Sequence, residues 1–146
     1  MRCWRDRGDS HFVKVTVTHF QMLKNIRNLD YVILLCDEIQ HMRAFYHEVL
    51  GFPIYRANAE WIEMNVGATL LTLRKRGRAY DGAKLPNSAS IQLAFRVTPA
   101  QVDECHQELL RKQVEILDPP RDTDYGHRTL FFKDPEGNIL EIYADI

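Results

Sequence analysis

The residue with the clearest capacity for chemistry is Glu141, in the stretch Asp134-Pro135-Glu136-Gly137-Asn138-Ile139-Leu140-Glu141-Ile142. Asp-Pro initiates a turn, Gly137 supplies a residue able to take positive φ, and Asn138 tolerates the left-handed region. A tight turn is therefore expected to deliver the chain into a strand at Ile139. A carboxylate between Leu140 and Ile142 either sits on a solvated strand face or is aimed into a site. In a site it could serve as a general base with a pKa raised by burial.

Other reactive side chains do not cluster in the sequence. His41 and His47 fall between the apolar positions of an expected helix and read as surface residues. His127, in Tyr125-Gly126-His127-Arg128, enters the strand before the turn, where a plain surface-loop role competes with a place at the border of a cleft. Cys3, Cys36 and Cys105 are odd in number and lack CxxC spacing, so neither a disulfide framework nor a zinc knuckle is suggested, and a reducing, cytoplasmic setting fits.

The elements that would position these residues can be read in order. Residues 1–21 read as an N-terminal extension, either a strand over His11 to Phe20 or a disordered tail, with residues 22–146 as the folded domain. Leu29 to Cys36 is a nearly continuous apolar run, expected as a core strand covered on both faces. Asp37 and Gln40 have capping-box spacing for a helix carrying Ile39, Met42, Phe45, Tyr46, Val49 and Leu50 and ending at Gly51. Short strands are expected at 53–56, 61–66 and 69–74, which completes module one (about 27–75). A charged, glycine- and proline-containing linker, 76–88, reads as a connector or mobile loop. Module two (about 89–146) repeats the order: a strand to Val97, a capping box at Thr98-Pro99-Ala100-Gln101, a helix, and strands at 114–117, 128–133 and 139–143, with Pro119 and Pro120 breaking the first of these.

Tyr31 to Gln92, Asp37 to Thr98 and Gln40 to Gln101 are each separated by 61 residues, so the chain is an internal repeat of low identity. The expected fold class is α+β: two paired βαβββ modules forming a cleft lined by mixed sheets, with helices outside.

Two motifs in this order resemble those of the vicinal oxygen chelate superfamily of glyoxalases, bleomycin resistance proteins and dioxygenases. Phe45-Tyr46-His47-Glu48-Val49-Leu50-Gly51-Phe52 resembles its FYxxxLGF helix end, and Asp134 to Ile142 resembles its DPxGNxxE segment. The resemblance covers about residues 27–144. It implies a cleft in which a divalent metal such as zinc, nickel, manganese or iron is commonly held by one residue from the first and last strand of each module, and those positions fall here on Tyr31, Thr72, Gln92 and Glu141. Only Glu141 is a usual ligand. Tyrosine is protonated at neutral pH unless perturbed, and Thr72 and Gln92 are weak neutral donors, so no metal cofactor is expected, with Glu63 or His127 the residues that could add a ligand.

Strand parity places Ala94 and Arg96 on the face of Gln92, Ile139 and Tyr143 on that of Glu141, and Ile33 and Leu35 on that of Tyr31. The resulting site has Glu141 as its catalytic candidate and Tyr31, Thr72, Gln92, Arg96 and His127 as substrate-binding candidates. The competing structural reading is that these polar groups satisfy one another in a filled interior. The resemblance further implies a homodimer and a small-molecule ligand, bound without reaction or else turned over by a lyase, isomerase or dioxygenase. A net charge of −1 gives no electrostatic case for nucleic acid or an anionic membrane as partner, and no apolar run reaches membrane-spanning length.

Overall fold

The computed structural model describes residues 22–86 and 88–146. The N-terminal extension lies outside the described residues. After a 3-10 turn at Met22–Asn25, module one runs β1 (Tyr31–Cys36), helix α1 (Ile39–Arg43, continuing as a π-helical segment, Ala44–Val49), β2 (Ile54–Ala57), β3 (Trp61–Val66) and β4 (Thr69–Lys75). Module two runs β5 (Gln92–Arg96), α2 (Pro99–Arg111), β6 (Ile116–Asp122), β7 (His127–Lys133) and β8 (Ile139–Asp145).

Each module folds into a four-stranded mixed sheet with the same topology, β1-β4-β3-β2 and β5-β8-β7-β6. In both, the first strand pairs parallel with the last, and the remaining pairs are antiparallel. The first strand is consequently an edge, and the last lies between it and the third. Four residues expected on cleft-lining strands thereby land on two adjacent strands of each sheet.

Alternation decides which face each strand buries. Leu34, Cys36, Ile62, Met64, Leu71 and Leu73 in module one join Leu130, Phe132, Leu140, Ile142 and Ala144 in module two in one apolar core with Met42, Phe45, Tyr46, Val102 and Leu109 of the helices. β1 is covered on one face only, contrary to the expectation of double coverage. As an edge strand it keeps Tyr31 and Ile33 exposed while Leu34 and Cys36 are buried. The apolar run misleads because an exposed isoleucine reads like a buried one.

The modules meet through helix α1 and its extension. Phe45 packs against Phe132 at 6.5 Å and Phe52 against Phe95 at 5.5 Å between ring centroids. The buried Tyr46 hydroxyl donates to Asp134 Oδ2 at 2.8 Å. Asp134 Oδ1 accepts the backbone N–H groups of Glu136 and Asn138, and the Asn138 amide donates to Oδ2 at 2.7 Å. The two motifs thus bind each other: the helix-end tyrosine supplies a donor to the aspartate that builds the turn. Burial and the neighbouring carboxylate hold the Tyr46 hydroxyl protonated, its pKa well above the usual tyrosine value.

Two local expectations are corrected. The start of α1 is not closed by Asp37 and Gln40. Glu38 occupies the N-cap without a side-chain cap bond, and the carboxylate of Glu136, from the module-two turn, accepts the N–H of Asp37 at 2.8 Å and that of Glu38 at 3.4 Å. An anion at a helix start offsets its unpaired donors, and here it comes from ninety-nine residues away. Nor do Pro119 and Pro120 end β6, which runs through both. β6 is an edge strand with register shifts against β7, a place where a residue lacking an N–H is tolerated. The capping box at Thr98 and Gln101 forms, with Pro99 opening α2.

The linker is fastened over its first half. Asp81 takes both guanidinium nitrogens of Arg74, at 2.6 and 3.0 Å, and the N–H groups of Gly77 and Arg78. The Arg74 hydrogen bonds, first among these, hold the Asp81 carboxyl far below the usual aspartate range. Arg76 reaches Asp37 and the Leu35 carbonyl, tying the same loop to the end of β1.

Candidate functional site

Each sheet turns one face to the core and leaves the other to the polar residues. On module two, β5, β8 and β7 place Ala94, Glu141 and Phe131 in one row of paired positions, and Arg96, Tyr143 and Thr129 in the next. Gln92 Nε2 donates to Glu141 Oε2 at 3.1 Å; Oε1 makes no hydrogen bond among the described residues. Glu141 is half-buried and Gln92 exposed. Ala94, opposite Glu141, has no side chain long enough to fill the space between Gln92 and Arg96. This leaves the carboxylate approachable from the face.

Arg96 and His127 converge on one carboxylate that the sequence reading did not single out. Asp145, the last residue of β8, pairs with Arg96 and lies 3.2 Å from His127 Nε2. The His127 ring lies against Tyr143 at 5.1 Å and Tyr125 at 5.4 Å, so β7 and β8 present an aromatic ledge beside Glu141. His47 is held within the fold, its Nδ1–H donating to the Phe52 carbonyl at 2.8 Å.

On module one, β1, β4, β3 and β2 align Ile33, Thr72, Glu63 and Arg56 at paired positions. Tyr31 precedes Ile33 by two residues on the same face and is exposed, whereas Thr72 is fully buried. Glu63, also fully buried, accepts Arg56 Nη2 and Trp61 Nε1 on its Oε1, each at 2.7 Å. Arg56 is the main cause that lowers the Glu63 pKa below the ordinary glutamate range, with smaller contributions from Trp61 and from the Tyr31 hydroxyl. Burial alone would have raised it. Arg56 and Trp61 were not singled out from the sequence, yet alternation in Trp61-Ile62-Glu63-Met64 sets Trp61 and Glu63 opposite two core residues.

The structure therefore brings Gln92 to Glu141, and Arg96 to His127 through Asp145. It sets Tyr31 beside Glu63, and among the described residues no hydrogen bond joins the Tyr31–Thr72 half to the Gln92–Glu141 half. A cleft of about 500 Å³ adjoins both first strands, lined by Ile33, Leu35, Lys84, Ser88, Ser90 and Ile91 among others, a volume in the range of small-molecule sites. A second, apolar cavity of about 200 Å³ lies on the helix side between Phe52, Phe95, Leu109 and Phe132, away from the polar groups.

As a metal site the donor set is poor. It offers one carboxylate, one carboxamide, one buried hydroxyl and one phenol, and no group of three or more His, Cys, Asp or Glu among the described residues is arranged to hold an ion. Glu63 cannot complete it, because its charge is already taken by Arg56.

Residues 28–142 match the family model of the Glyoxalase/Bleomycin resistance protein/Dioxygenase superfamily. A virulence protein of Salmonella typhimurium is 26% identical over 121 residues, covering 80% of this chain and 83% of its own length. Among solved structures, a glyoxalase/bleomycin resistance protein/dioxygenase from Nocardioides superposes with a TM-score of 0.73 at 18% identity, covering 87% of this chain and 90% of that one. A lactoylglutathione lyase from Agrobacterium tumefaciens gives 0.67 at 19% identity, with coverage of 80% and 92%. At these identities the two structures speak to fold alone.

Proposed function

Because the chain belongs to the glyoxalase/bleomycin resistance protein/dioxygenase superfamily, we propose that it binds a small organic molecule at the open faces of its sheets without a metal ion. The observation that carries the reading is the Glu141–Gln92 pair. Where the family resemblance puts a metal ligand, a carboxylate remains, but its nearest polar partner is a carboxamide that hydrogen-bonds it. That pairing suits a ligand donor group at Oε1 better than coordination of a cation. The ledge of Tyr143 and His127 supplies apolar contact area beside it.

A thermal-shift screen of neutral organic fragments on the full chain tests this. A fragment present at a hundredfold its Kd stabilises by about 2.7 kcal/mol, and Glu141→Gln together with Gln92→Leu should remove most of that shift. Stabilisation by divalent zinc, nickel, manganese or iron, abolished by Glu141→Gln, would instead point to the metal-dependent reading.

The uncommitted Oε1 of Glu141 favours one second reading, in which the carboxylate is a general base in a lyase- or isomerase-type reaction. Turnover unaffected by Glu141→Gln would exclude it. The functional unit in either reading is a homodimer: Leu23, Ile26 and Leu29, ahead of the edge strand β1, are exposed, an apolar strip that a second copy would cover. Light scattering that shows a monomer at all accessible concentrations would refute this.

A further inference from the structure

On the side of the module-one sheet away from the core, two fully buried polar atoms, Glu63 Oε2 and Thr72 Oγ1, have no hydrogen-bond partner of good geometry among the described residues. They sit on adjacent antiparallel strands at directly paired positions, so both side chains leave the sheet on the same side. Glu63 Oε1 is already occupied by Arg56 and Trp61, which fixes the carboxylate and leaves Oε2 with no neighbouring donor among the described residues but the Tyr31 hydroxyl, whose place a ligand hydroxyl can take. Unpaired polar atoms shut off from solvent are costly, and two side by side need a common explanation.

The exposed neighbour of this pair is Tyr31. It stands on β1, two residues before Ile33, which pairs with Thr72, yet its hydroxyl reaches toward Glu63 on the far side of β4. Its side chain therefore crosses β4 on the face that carries Thr72, and it is 38% exposed. Rotation about the Tyr31 side-chain bonds moves the ring outward without moving the sheet.

We propose that Glu63 and Thr72 form a subsite for one neutral hydroxyl group of the ligand, an alcohol or a phenol, which enters as Tyr31 turns aside. The chemistry of the two atoms selects the group. A hydroxyl donates once, to Glu63 Oε2, and accepts once, from the Thr72 hydroxyl. A carbonyl has no proton for Oε2. An ammonium has no lone pair for Thr72 and meets the positive charge of Arg56, which already balances Glu63. This rests on the reading of the open faces as the ligand site and names one group that the ligand carries.

The test compares benzyl alcohol, benzyl methyl ether and toluene by calorimetric titration of the full chain. The alcohol should bind about five- to tenfold more tightly than the ether, the worth of one or two hydrogen bonds. Thr72→Val, nearly isosteric and free of the unpaired hydroxyl, should erase that preference while the urea midpoint holds or rises. Glu63→Gln, which replaces an acceptor by an amide, should lower alcohol affinity by a similar factor. Equal affinities for alcohol and ether, a preference that survives Thr72→Val, or no alcohol binding up to its solubility limit each overturn the subsite. A ligand that depends on Gln92 and Glu141 but is indifferent to methylation of its hydroxyl removes this inference and leaves the proposed function standing. A hydroxyl preference lost in Thr72→Val yet unchanged in Glu141→Gln does the reverse.

Discussion

Replacing Tyr46 by Phe isolates the contact that joins the two family motifs. The substitution keeps the ring, with its edge-on packing against Phe45 at 5.3 Å and its stacking on Phe52 at 6.3 Å, and removes one hydroxyl. That hydroxyl is fully buried and 2.8 Å from a carboxylate oxygen of Asp134, itself 5% exposed. A hydrogen bond to a charged group contributes about 1.5–3 kcal/mol, and the variant leaves Asp134 with its three remaining donors, from Glu136 and Asn138. The expected loss is about 2 kcal/mol in urea unfolding, with the m-value unchanged because no surface is newly exposed. The pH dependence follows from the raised Tyr46 pKa. Its folded-state value lies above the unfolded one, so its contribution is complete below about pH 10 and is lost as pH rises through the folded value. The gap between wild type and Tyr46→Phe should narrow above roughly pH 10. A loss under about 0.5 kcal/mol at pH 7 would show that the motif contact is not what holds the modules together.

Three further outcomes are expected. Glu136→Ala removes the acceptor for the Asp37 and Glu38 N–H groups at the start of α1, and should lower stability by about 1 kcal/mol, as loss of a helix cap does; an unchanged urea midpoint would contradict the trans-cap. Glu63→Gln should lower stability at pH 7. Because the folded-state pKa of Glu63 is depressed, its contribution is present above the ordinary glutamate pKa of about 4.3 and is lost as pH falls through the folded value, so the two unfolding curves should converge in acid and stay apart at neutral pH. Cys36 is fully buried, and burial pushes its thiol up to about 12, so peptide mapping after iodoacetamide treatment of the native chain should find Cys36 unmodified; rapid labelling there would refute the packing of β1 against the core.

The repeat was legible because helix periodicity, the Thr98 capping box and the glycine turns are local signals, and the 61-residue offset aligned two sets of them. Parity alone put Ile33, Ala94, Arg96 and Tyr143 on the faces where they are found. What the sequence could not show was pairing across distance. Glu136 looked like one more turn residue, yet it caps a helix in the other module. Glu63 read as a residue able to add a metal ligand, yet Arg56 and Trp61 take its carboxylate, and nothing local marked Asp145 as the place where Arg96 and His127 meet. The exposure of β1 was hidden for a related reason: its apolar residues are the same whether a neighbouring strand covers them or not.

The most direct test of the central claim, that Glu141 and its neighbours take an organic ligand and hold no metal, is elemental analysis of protein purified without chelator, on wild type and Glu141→Gln in parallel. The donor set of one carboxylate with Gln92, Tyr31 and Thr72 predicts far less than one zinc, nickel, manganese or iron per chain in both. One metal per chain in wild type, lost in Glu141→Gln, would contradict it and make Glu141 a metal ligand.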